Sequence, residues 1–174
     1  MVGAQEATSS NSRCSNHVFL SFRGEDTRKT FTDHLYRALV HAGFRTFKDD
    51  DDIQRGETIK FELQKTIQGS RISIVVFSKD YASSSWCRDE LVMILKCRKT
   101  TEHVVLRIFY NIDPSHVRKQ TGSFKEALTC YEERFQIERS ERRVKWMVKV
   151  EKWKAALREA ADLARINIQN QANG

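Results

Sequence analysis

Residues 72–95 read ISIVVFSKDYASSSWCRDELVMIL, a complete step from strand to helix. The run ISIVVF (72–77) is short, apolar and β-branched, the composition of a strand buried on both faces. Ser83, Ser84 and Ser85 can each cap a helix, and Leu91, Ile94 and Leu95 beyond them share one helical face. The same alternation recurs outward in both directions. VFLSF (18–22) and RTF (45–47) come before, VVLRIFY (104–110) comes after, and segments with helical spacing separate them. Phe31, Leu35, Leu39 and Ala42 step by four, four and three, while Ile59, Leu63 and Ile67 step by four. Strand followed by helix, repeated in this way, predicts an α/β fold with a central parallel sheet of four to five strands flanked by helices. INI (166–168) would supply the short fifth strand.

Arg107 interrupts VVLRIFY, and a central parallel strand rarely carries an unpaired charge, so this strand is expected near an edge of the sheet. A last long helix over about 141–165 carries Trp146, Val150, Trp153, Leu157, Ala160 and Ala164 at alternating steps of four and three. That stripe reads as a core-facing seam, with a partner-binding coiled coil as the alternative. Residues 1–15 are Ser/Asn/Gln-rich and aperiodic, a flexible leader; 16–168 form the domain, and 169–174 a disordered tail.

The 174 residues suit one ordinary domain, long enough to bury about two thirds of the surface of the unfolded chain. At 40% hydrophobic and 30% charged residues, composition excludes collagen-like, wholly disordered and membrane-spanning classes. A single proline and seven glycines argue against a turn-dense β-sandwich. The net charge of +7 suggests an anionic partner. Cys14, Cys87, Cys97 and Cys130 include no C-x-x-C pair, so no metal site is expected. With no apolar export signal or spanning run, no membrane partner is expected, and the cysteines are expected as thiols in the cytoplasm, with the nucleus as a further compartment.

The chemistry-bearing residues fall at the carboxyl ends of the strands, where open parallel sheets bind ligands. In SFRGEDTR (21–28), Arg23 offers a bidentate anion donor and Gly24 allows close backbone approach; a capped turn without ligand is the plainer reading. The run Asp49–Asp52 in FKDDDDIQRGE (47–57) lacks the glycine and distal glutamate of a calcium loop, and reads as a polar connector turning at Arg55 and Gly56. In SKDYASSSWCRDEL (78–91), Trp86 and Glu90 lie four residues apart and so on one helix face. A planar base could stack on Trp86 while the carboxylate addresses a sugar or developing cation. Ordinary packing for Trp86 and a surface charge for Glu90 stand as the alternative.

Four ordered motifs carry a family likeness: NHVFLSFRGEDTR (16–28), TFKDDDDIQRGETI (46–59), SIVVFSKDYASSSWCRDELVMI (73–94) and VLRIFYNIDPSHVRKQTGSFKEA (105–127). Over about 17–164 the chain resembles the plant Toll/interleukin-1 receptor (TIR) domain of intracellular immune receptors and TIR-only proteins. The resemblance implies a flavodoxin-like fold. It also implies an NAD+ nucleosidase, hydrolysing NAD+ or NADP+ to nicotinamide, ADP-ribose and cyclic ADP-ribose-type signals, with no cofactor beyond that substrate. By the same likeness Glu90 is catalytic, Trp86 stacks on the nucleotide, and Phe22, Arg23, Gly24 and Ser84 line the pocket. Asp50, Arg55 and Gly56 fall in the loop that gates it.

One carboxylate suffices for that chemistry. Glycosidases ordinarily need an acid to protonate the leaving group and a second carboxylate. The nicotinamide of NAD+ is already cationic and leaves neutral, so an ionised Glu90 has only to stabilise an oxocarbenium-like ribose. The likeness further implies self-association and association with other TIR domains through the first and last helices. At the first helix this chain has Asp33-His34 where many members have Ser-His. Ala164-Arg165-Ile166 stands in place of the usual Ser-Gly-Trp, and the chain ends at Gly174, before a further terminal helix. Arg88 stands where leucine is usual, and Arg107 where proline is. The alternatives are a non-catalytic TIR–TIR interaction scaffold and, from the basic residues Arg142, Arg143, Lys145, Lys149, Lys152 and Lys154, nucleic-acid binding, against which stands the plainer reading of a solvated helix face.

Overall fold

The computed structural model describes residues 16–48, 57–137 and 139–163. Four parallel strands, β1 (Asn16–Phe22), β2 (Thr46–Lys48), β3 (Ser70–Phe77) and β4 (Val104–Phe109), form one sheet in the order β2-β1-β3-β4. All four expected strands are present, each within two residues of its expected bounds. Ser21 pairs with Val75 and Phe22 with Val76, which brings the carboxyl ends of the two central strands level. The suggested fifth strand at 166–168, the leader and the tail lie outside the described residues.

Alternation along β1 divides the core. Val18, Leu20 and Phe22 point to one face and join Ile74 and Val76 beneath α2 (Phe31–His41), where Phe31, Leu35 and Leu39 complete the packing. Phe19, Val75 and Phe77 point to the other face, against Leu63 and Ile67 of α3 (Glu57–Gln68) and Leu91 and Ile94 of α4 (Ser85–Thr100). Ser21 shares that second face by the same alternation, and this orientation proves decisive for the site.

A short helix α1 (Gly24–Thr27) follows β1 directly. After β4 come α5 (Pro114–Lys119) and α6 (Ser123–Phe135), two helices that the apolar spacing did not reveal. Local signals explain the first: Asp113 caps it by accepting the Ser115 N–H at 2.7 Å, and the lone proline sits in its first turn. Gly122, at φ 59°, then turns the chain into α6. The long helix α7 (Ser140–Asp162) buries Val150, Trp153, Leu157 and Ala160, as the seam reading expects.

β4 is an outer strand of the described sheet, as its charge implied. Arg107 is not left bare there. Its Nη1 donates to the Ala160 carbonyl at 2.8 Å and to that of Ala161, so the cation closes the carboxyl end of α7.

His103, just before β4, is 6% exposed and is held on both nitrogens. Nδ1–H donates to the Ser70 carbonyl at 2.9 Å, which leaves Nε2 to accept from the Ser73 hydroxyl at 2.7 Å. Burial lowers its pKa from the ordinary 6.5, outweighing the Ser70 hydrogen bond. The unfolded chain then binds the proton more readily, so this contribution to stability is complete above pH 6.5 and is lost as the pH falls through the lower folded value. Urea unfolding at pH 7.5 and 5.5 should therefore show a larger acid loss in the natural protein than in His103→Gln.

Candidate functional site

The site forms where the carboxyl end of β1 meets the first turns of α4. Ser84 is the α4 cap, its Oγ accepting the Cys87 N–H at 3.2 Å, so the middle of the three serines sets the register of the helix. That register places Trp86 in the first turn, half-buried against the main core, and Glu90 one turn on. Glu90 does not lie on the surface: it is 2% exposed.

A buried carboxylate is costly unless it accepts hydrogen bonds. Ser21 supplies one, its hydroxyl donating to Glu90 Oε2 at 2.7 Å. Tyr81 lies beside the same hydroxyl, its Oη 2.9 Å from Ser21 Oγ, and donates its own proton to the Cys87 carbonyl at 3.0 Å. Tyr81 is fully buried in the short helical turn Tyr81–Ser83, which leads into α4. The two hydroxyls lie side by side, and that of Ser21 holds the carboxylate against the sheet.

Neither Ser21 nor Tyr81 is singled out in the sequence reading. The available signal was a hydroxyl at the carboxyl end of an otherwise apolar strand, pointing to the face that α4 covers. A further strut also escaped notice: Asp26 of α1 accepts from the Ser78 hydroxyl and, at 3.0 Å, from the Asp80 N–H. It ties α1, which follows β1, to the loop after β3, the two segments that border the site.

The other sequence candidates are dispersed around this centre. Phe22 sends its ring into the α2-side core, away from Glu90, while its carbonyl accepts from Cys87 Sγ at 3.4 Å. Arg23 is the residue before α1, and its Nη2 donates to Glu25 at 2.9 Å. Burial lowers its pKa but the Glu25 hydrogen bond and charge more than offset this, leaving the guanidinium above its ordinary value. Gly24 is buried, and a Cβ there would run into the Arg28 guanidinium. Asp50, Arg55 and Gly56 lie outside the described residues. On α2, His34 is exposed, whereas Asp33 is bridged to Arg37 at 2.9 Å and lies 3.7 Å from Lys48. No helix of the described residues is long and apolar enough to cross a membrane.

A parallel sheet with this strand order, a glutamate in the second turn of the helix after β3, and a short helix opening on Gly24 after β1 agree with the sequence resemblance. The TIR domain family model matches residues 16–173. The chain belongs to the TIR domain family. This TIR domain is 55% identical to the disease resistance protein RPV1 of Vitis rotundifolia over 84% of its own length. It is 47% identical to the TMV resistance protein N of Nicotiana glutinosa over 90% of its length. It spans only 10% and 13% of those two relatives. Among solved structures it superimposes on the TIR domains of the activated Roq1 resistosome directly recognizing the pathogen effector XopQ. The TM-score is 0.73 at 46% identity, with 92% of each chain covered.

Proposed function

We propose that this TIR domain is an NAD(P)+ nucleosidase of plant immune signalling, switched on by self-association. It cleaves the nicotinamide glycosidic bond, and its products, ADP-ribose and cyclic ADP-ribose-type nucleotides, lead to defence and cell death in the cytoplasm and nucleus. The observation that carries the reading is Glu90: a single carboxylate, withdrawn from water, accepting from Ser21 at the carboxyl edge of the sheet and one helical turn from Trp86.

In the proposed reaction, positive charge grows on the ribose as neutral nicotinamide departs, so no residue need donate a proton to the leaving group. The carboxylate stabilises the developing oxocarbenium electrostatically, and water or a hydroxyl of the substrate itself takes the vacated carbon. Trp86 offers the stacking surface, and Arg23 and Gly24 the polar wall for the phosphates. Activation by association accounts for a glutamate only 2% exposed in the single chain, since a dinucleotide must reach it. Similarity to TIR domains solved within an activated resistosome supports the same reading.

Nicotinamide release from NAD+ and from NADP+, followed as protein concentration rises, tests this. Release should climb faster than protein concentration and vanish in Glu90→Ala. Equal release by the two proteins removes Glu90 from the reaction, and no release at any concentration favours a scaffold that only pairs with other TIR domains. Ser21→Ala should lose about 1–3 kcal/mol of stability yet still fold, and should turn over about tenfold more slowly, a low-end value for a hydrogen bond to a charged group.

A further inference from the structure

The amino-terminal half of α7 presents its charge in an ordered way. Lys145, Lys149 and Lys152 step by four and three residues, so they stack along one side of the helix. Lys60 of α3 faces them across a groove of about 420 Å³ that α4 floors with Val92 and Met93. Val148 of α7, 51% exposed, completes the apolar strip.

Asp89 joins the two walls of this groove. Its Oδ2 lies 3.3 Å from Lys60 Nζ and 3.2 Å from Lys149 Nζ, while Oδ1 accepts the Trp153 indole N–H at 2.8 Å. Two ammonium groups, one from α3 and one from α7, thereby share one oxygen of an anchored carboxylate, with Lys149 also 5.1 Å from the ring centroids of Trp146 and Trp153. Lys145 and Lys152 make no ion pair among the described residues. The groove thus carries three positive charges in excess around an apolar floor.

We infer that this groove docks an acidic amphipathic helix of a partner protein. Apolar side chains spaced by three or four residues would rest on Val92, Met93 and Val148, and flanking carboxylates would meet Lys145 and Lys152. Charge complementarity selects an acidic partner. The floor separates a peptide from a nucleic acid, whose phosphates gain nothing from apolar side chains. The cations lining the groove are all lysines, without the guanidinium fork that grips phosphate in two places. The inference is independent of the nucleosidase reading.

Three fluorescein-labelled probes titrated with the full chain decide it: a helical peptide with leucines at i, i+3 and i+7 flanked by glutamates, a scramble of the same composition, and a single-stranded RNA of equal charge. The patterned peptide should bind at least about tenfold more tightly than its scramble, and more tightly than the RNA. Lys145→Glu with Lys152→Glu should weaken it about tenfold or more. Both lysines are exposed, so the variant keeps its fold, which circular dichroism checks. Val148→Asp should weaken the patterned peptide and leave the RNA unchanged. Equal binding of pattern and scramble, tighter binding of the RNA, or no saturable binding of the peptide each overturns the inference.

Discussion

Glu90→Gln is expected to fold like the natural protein and to release nicotinamide at least about a hundredfold more slowly, the scale on which one preorganised electrostatic group acts in a water-excluded site. The substitution is nearly isosteric. An amide oxygen can still accept the Ser21 hydroxyl in place of Oε2, so the 2.7 Å contact and the packing beneath α4 survive. The negative charge is lost, and the second oxygen is replaced by an NH2 group. If the carboxylate serves to stabilise an oxocarbenium-like ribose, the loss falls on kcat, because the charge matters most when the sugar is cationic. Glu90→Asp separates charge from position: the charge remains but retreats by one methylene, and the rate should fall between those of the natural protein and the glutamine variant. Chromatographic measurement of nicotinamide, alongside thermal unfolding of each variant, provides the test. A glutamine variant that keeps more than a tenth of the activity would show that the charge does not drive the step.

The parts of this molecule legible in the sequence are those that rest on local pattern. Apolar runs located the strands because a parallel sheet is covered on both faces, and ISIVVF has no polar alternation to suggest otherwise. Helical spacing located α2, α4 and α7 because each presents one stripe to the core. The serines before Trp86 announced the start of α4, and one of them caps it. Arg107 announced its own place, since a charge in a strand needs an outlet, and the carboxyl end of α7 provides it.

What the sequence concealed depends on which residues meet across the fold. Ser21 and Glu90 are 69 positions apart, and Ser21 and Tyr81 are 60 apart. Nothing local to any of the three indicates that they touch; only the pleat of β1 and the register of α4 bring them together. The same holds for Asp26, which reaches the loop after β3. The family resemblance picked out Glu90, but geometry explains what holds it. α5 and α6 escaped because a cap and a proline, rather than a long apolar stripe, define the first. The second buries only Phe124, Ala127 and Leu128. Arg88, noticed as a departure from leucine, gains meaning only when its surroundings are seen.

Trp153→Ala should cost about 3–5 kcal/mol of stability, enough to leave a domain of ordinary stability partly unfolded. The indole is 1% exposed, donates to Asp89 at 2.8 Å, and packs edge-on to Tyr131 and Trp146. It also forms one wall around the Arg88 guanidinium, whose central carbon lies 4.0 Å from its ring and 3.9 Å from that of Tyr131. Arg88 is fully buried, its three nitrogens find no well-aligned hydrogen-bond partner among the described residues, and burial lowers its pKa from the ordinary arginine value, against the opposing pull of Tyr131 and Asp89. Aromatic faces are therefore its main compensation, worth about 2 kcal/mol where the cation is desolvated. Arg88→Leu forfeits that attraction and the pull of Tyr131 and Asp89, but also removes the cost of burying a charge. Such exchanges are often neutral or stabilising, so its effect should stay within about 1 kcal/mol. The two substitutions must then be strongly non-additive. In Trp153→Ala the guanidinium loses a wall while remaining buried, so adding Arg88→Leu should restore part of the lost stability. Urea midpoints of the four proteins at constant slope measure this directly. If the double variant is less stable than Trp153→Ala alone, the buried cation supports the fold through contacts other than the Trp153 ring.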